Sequence, residues 1–110
     1  MENKLIHSDD INTVIRVGVN AYRVFRSDKE GKELTVIRFQ DGNPKTNGIN
    51  GLSMEANLAV MISRLETLNQ GQFKSINNDL ALGGMKAALA ALEDRIYERK
   101  QRNVHNTLKG

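Results

Sequence analysis

The sequence predicts an α+β chain, with an N-terminal antiparallel β-sheet (hairpin or meander) followed by a long antiparallel helical hairpin. Three observations predict it. Runs of β-branched and aromatic residues fill the first 40 positions, turn formers crowd 41–52, and after Ser53 the apolar residues recur at three- and four-residue steps. We expect a single domain over 1–110, divided into strands (1–40), a Gly/Asn-rich loop (41–52), a helical hairpin (53–102) and a C-terminal tail (103–110).

The strands come first. "YRVFR" (Tyr22–Arg26) and "LTVIRF" (Leu34–Phe39) suit a pleated surface, and the polar "SDKEGKE" between them, with Gly31, suits a hairpin loop. "INTVIRVGV" (Ile11–Val19) is β-branched and reads as a strand, although Ile11, Val14 and Ile15 also suit one helix face. The loop "DGNPKTNGINGL" holds three glycines, three asparagines and the only proline, residues that permit tight turns.

The helices follow. Ser53 can cap the first, Glu55 complements its dipole, and Leu58, Met61, Leu65 and Leu68 form an apolar stripe that "NQGQ" ends at Gly71. Ser75 or Asn77 can cap the second, whose stripe is Met85, Leu89, Leu92 and Ile96. Ala87, Ala88, Ala90 and Ala91 keep its surface thin enough for another helix to approach, so the hairpin is expected to mediate dimerisation.

Composition excludes several functions. With no Cys there are no disulfides, thiolate nucleophiles or Cys-ligated zinc, which fits a reducing compartment. Two Tyr, three Phe and no Trp fill little core, so Leu/Met/Ala packing or help from a partner chain is expected. No run approaches the roughly 18–20 apolar residues of a membrane span, and the first ten residues do not read as a secretory signal. A soluble cytoplasmic protein is expected. His7 and His105 have no metal-ligand spacing, and no nucleophile elbow or phosphate-loop lysine motif occurs, so neither cofactor nor catalysis is expected. Glu98 lies four residues before Arg102 and is expected to pair with it.

The stretch "DRIYERKQRNVHNTLKG" holds five basic residues from Arg95 onward against one acid, Glu98. That excess suits an anionic partner. In a helix, Arg95, Arg99 and Arg102 share a face at i, i+4 and i+7, although like charges at i, i+4 cost roughly 0.2–0.5 kcal/mol per pair. At the other end, "SINND" (Ser75–Asp79) offers free backbone N–H groups and Asn78, one position beyond the cap. Asn78 and Arg95 stand 17 residues apart, or about 25 Å along a helix. One small nucleotide cannot touch both ends of one helix, whereas two antiparallel copies would bring Asn78 of one near Arg95 and Arg99 of the other.

"FQDGNPKTNGINGLSMEANLAVMISRL", "GQFKSINNDLALGGMKAALAAL" and "RIYERKQRNVHNT", in that order, resemble the phage Thoeris anti-defence sponge proteins over roughly residues 36–107. The resemblance implies a non-catalytic protein that sequesters glycocyclic ADP-ribose, the signal of TIR-domain proteins, and blocks Thoeris immunity in the host cytoplasm. Some such proteins also hold CBASS cyclic oligonucleotides at separate sites and assemble as homodimers or trimers of dimers. The loop proline is shifted here (Asn43–Pro44), so the second site is not carried over with the rest. The implied ligand pocket uses Asn78, Arg95 and Arg99, with Arg102 to Thr107 as a closing segment. Where relatives place a stacking aromatic this chain has Leu68, with Phe73 as a substitute, and their tail glycines are replaced by Asn103 and Asn106. The rival reading is a small basic dimeric nucleic-acid-binding or regulatory protein. Acids at Glu93, Asp94 and Glu98 interrupt a basic stripe, so no nucleic acid polymer is expected as partner.

Overall fold

The computed structural model describes residues 2–106, with side chains through residue 102. The chain divides between Ser53 and Met54 into two compact units. The first is a four-stranded antiparallel meander, β1 (Lys4–Ser8), β2 (Asn12–Arg16), β3 (Ala21–Arg26) and β4 (Glu33–Arg38), in that spatial order. The ambiguous segment is a strand: Asn12 to Arg16 pair in register with Arg26 to Tyr22, which places Val14 opposite Val24 and Thr13 opposite Phe25. The edge strand β1 has no counterpart among the strands named from sequence. Its residues, KLIHS, are exposed throughout and carry too little apolar pattern to stand out.

The turn into β2 is built by Asp9, whose Oδ1 accepts from the backbone N–H groups of Ile11 (2.8 Å) and Asn12 (2.7 Å). The β3–β4 hairpin falls where "SDKEGKE" predicts it, with Gly31 at φ 58° and Arg26 paired to Asp28 and Glu30.

The Gly/Asn-rich segment is more ordered than a plain loop. It contains a one-turn helix, α1 (Pro44–Asn47), capped by the Asn43 side chain, which accepts from Lys45 N–H. Beyond α1 the chain returns so that Leu52 bridges Phe39 in parallel. Asn50 clamps this return: its Oδ1 accepts from Asp41 N–H (2.8 Å) and its Nδ2 donates to the Asp41 carbonyl (2.9 Å). Gly51 is required beside it, because a Cβ there would lie 2.6 Å from the Phe39 carbonyl carbon.

The second unit is the antiparallel hairpin of α2 (Met54–Leu68) and α3 (Ile76–Asn106), joined through a 3-10 turn at Gly71–Phe73. α2 carries Glu55 in its first turn, as expected. Leu58, Ile62, Leu65 and Asn69 form its less exposed face, with Ile62 only 8% and Asn69 9% exposed. This corrects the phase of the predicted stripe. Leu58 and Leu65 face inward, but Met61 and Leu68 are exposed, because each residue advances about 100° around the axis. The α3 stripe stands as read: Met85, Leu89, Leu92 and Ile96, extended back through Leu82 and Asn78, are its less exposed positions. Among the described residues Ile62 is the buried apolar side chain, so the core is thin.

Of the two candidate caps, Ser75 caps α3: its Oγ accepts from Asn78 N–H at 3.0 Å. The helix runs 31 residues, to Asn106, continuing into the stretch expected as a tail.

Candidate functional site

The hairpin register follows from three rungs. Asn69 meets Asp79 (2.7 Å), Glu66 meets Lys86 (3.1 Å) and Glu55 meets Arg95 (3.7 Å). Since Glu55 lies in the first turn of α2, that helix has no residues left to pair with α3 beyond the Arg95 rung.

At the turn end stand Leu68, Phe73 and Asn78. Leu68 is exposed in the last turn of α2, and Phe73 is 67% exposed in the 3-10 turn. Asn78 is tied to Phe73 directly, its Nδ2 donating to the Phe73 carbonyl at 3.2 Å. Asn78, three positions beyond the Ser75 cap, therefore secures the tight turn while Phe73 projects outward. Beside it, Asn69 Oδ1 accepts from Ser75 N–H (3.1 Å). The Asp79 carboxyl is held below its ordinary value, first by the hydrogen bond from Asn69 and then by Lys74 at 3.4 Å. Sequence reasoning passed over Asn69, because a polar residue on a buried face has no periodic signature. The only hint was its place at the end of the stripe.

Arg95, Arg99 and Arg102 lie at the far end of α3, on one face of a continuous helix. Their environments differ. Arg95 faces Glu55, whereas Arg99 and Arg102 make no ion pair among the described residues. The expected Glu98–Arg102 pair is not formed, and no pair within 4.0 Å joins them. An exposed i, i+4 pair yields only about 0.3–0.5 kcal/mol, too little to hold two long side chains together. Thr107, and the closing segment beyond residue 106, lie outside the described residues.

One hairpin thus brings Leu68, Phe73 and Asn78 together at one end and the three arginines together at the other, but not the two groups to each other. Between them, on the side of α3 opposite the α2-facing stripe, Ile76, Leu80, Gly83, Ala87 and Ala91 are all exposed. The first unit has an open depression of about 520 Å3 bordered by Arg38, Phe39, Asp41 and Asn50. Both ends of its Asn50 amide are already spent on the Asp41 backbone. Among the described residues, no three His, Asp or Glu side chains are grouped to hold a metal ion, and no helix is long and apolar enough to cross a membrane.

No protein-family model matches the chain. It is 34% identical over 90 residues to the protein named Thoeris anti-defense 1 of Bacillus phage SBSphiJ7, a match covering 82% of this chain. The chain spans 63% of that relative's length.

Proposed function

From the premise that the chain belongs with the phage Thoeris anti-defence proteins, we propose that it acts without catalysis, by binding and sequestering glycocyclic ADP-ribose. Removing the signal of TIR-domain proteins leaves the Thoeris effector without its activator. The protein works in the host cytoplasm as a homodimer.

One observation supports this reading most: the turn end of α3, where Phe73 is exposed, and its arginine end stand apart along a single helix. A second copy packed antiparallel on the exposed Ile76–Ala91 face would bring the turn end of one chain, which Asn78 secures and from which Phe73 projects, beside the Arg99 and Arg102 end of the other. A two-fold arrangement yields two equal pockets. The thin core favours such a partner as well. Within the pocket Arg99 and Arg102 take phosphate oxygens, Phe73 stacks on the base, and Asn78 keeps the turn in shape. Sequestration requires affinity near nanomolar, about −12 kcal/mol. Charge-assisted hydrogen bonds of roughly 1.5–3 kcal/mol each reach it when the donors stand on rigid helices.

Calorimetry against a panel of cyclic ADP-ribose isomers and cyclic oligonucleotides tests the reading. Tight binding of a cyclic ADP-ribose isomer, lost in Arg99→Ala, is the expected result. Absence of binding across the panel, or an Arg99→Ala variant that still protects the Thoeris effector from its signal, overturns it.

A further inference from the structure

Glu55 is the carboxylate that sets the arginine end apart from an ordinary basic patch. Its side chain is 17% exposed, against 45% for Arg95, and its Oε1 is shut off from solvent without a hydrogen-bond donor. Arg95 Nη2 stands 3.7 Å away. That distance is too long for a hydrogen bond, which needs about 2.7–3.2 Å, but short for two opposite charges, especially with one shielded from water. Glu55 therefore cancels much of the Arg95 charge while leaving the five guanidinium donors unspent.

We infer that Glu55 is a specificity-determining residue of the arginine face. It removes Arg95 from the cations that attract a phosphate chain, yet keeps Arg95 able to donate hydrogen bonds to a ligand shaped to receive them. Non-specific binding of nucleic acid is supplied by uncompensated cations, whereas a pocketed nucleotide also gains from directed hydrogen bonds. The contact thus selects a compact phosphate ligand over a polymeric one. The inference rests on the sequestration reading for its ligand but not for its test.

The test uses the full chain and two probes, glycocyclic ADP-ribose and a single-stranded oligodeoxythymidylate of roughly 20 nucleotides, the latter followed by anisotropy across a salt series. Glu55→Gln is expected to tighten oligonucleotide binding about tenfold at low salt and to steepen the salt slope by about 0.7, the value of one added cation. Its glycocyclic ADP-ribose affinity is expected to move less than about threefold. Joint replacement of Glu55 and Arg95 by Gln leaves the slope at its wild-type value, while Arg99→Gln alone lowers it by about 0.7. This second comparison stands even where Glu55→Gln alone does not fold. An unchanged slope in folded Glu55→Gln, a slope lowered by the joint replacement, or equal tightening of both probes overturns the inference. Wild-type protein that ignores glycocyclic ADP-ribose overturns the sequestration reading alone, since the oligonucleotide slopes still decide the role of Glu55.

Discussion

The Asn69 side chain, 9% exposed at the end of α2, donates to the Asp79 carboxylate of α3 across 2.7 Å and accepts from Ser75 N–H on its other side. One amide thereby joins two helices and the turn between them. Asn69→Ala leaves the Ser75 donor and the Asp79 acceptor without this partner, so a loss of roughly 1–3 kcal/mol in chemical denaturation is expected. Asn69→Leu should be no better, because the polar neighbours remain.

Acid should weaken the protein in a defined window. The Asp9 carboxyl is lowered from 3.8 to about 2, chiefly by the backbone N–H groups it accepts from and by His7. Asp79 is lowered too, chiefly by Asn69. A depressed carboxylate contributes stability that is fully present above its unfolded value and lost as pH falls through its folded value. For Asp9 the loss runs from about pH 4 down to about pH 2. Thermal midpoints measured over that range should fall in the wild type and fall less steeply in Asp9→Asn.

Arg95 and Arg99 should separate stability from binding. Arg95→Ala removes the charge facing the Glu55 carboxylate and, with Arg95 half exposed, should cost about 0.5–1 kcal/mol. Arg99→Ala breaks no ion pair among the described residues and should change stability by no more than about 0.5 kcal/mol. Its effect should appear in ligand calorimetry instead.

The open face of α3 predicts an assembly test. Ala87→Glu projects a charge from the exposed side of the helix. If that face packs against a second copy, sedimentation should shift from dimer to monomer, with circular dichroism unchanged. Gly83→Ala on the same helix meets no atom within 4 Å and should raise stability by roughly 0.5–1 kcal/mol through helix propensity.

Gly51→Ala should act in the opposite direction. Its Cβ would meet the Phe39 carbonyl carbon at 2.6 Å, and backbone does not yield cheaply, so a loss of about 1–3 kcal/mol in thermal unfolding is expected.

Much of this was readable from residues alone. The change of period at Ser53, the β-branched runs and the Met85–Ile96 stripe sufficed for the α+β class, for β3 and β4, and for the inward face of α3. These are local signals, since each residue type prefers its element whatever surrounds it. Leu68 and Met61 were read inward because they are apolar, and Asn69 was passed over because it is polar. Only the opposing helix determines which side of α2 is covered. β1 stayed hidden for the same reason: KLIHS becomes a strand through its pairing with β2 rather than through its own pattern.

For the candidate site, the sequence by itself determined that three arginines share one face and that Asn78 lies a helix length away, because rise per residue converts spacing into distance. The tertiary structure alone decided how those residues are occupied. It ties Asn78 to the Phe73 carbonyl, sets Glu55 against Arg95 and leaves Arg99 and Arg102 unpaired among the described residues. The physical reason is that charge and hydrogen-bond partners come from whichever side chain the antiparallel register brings alongside. Glu55 and Arg95, 40 residues apart in the chain, become neighbours only when α2 folds back on α3.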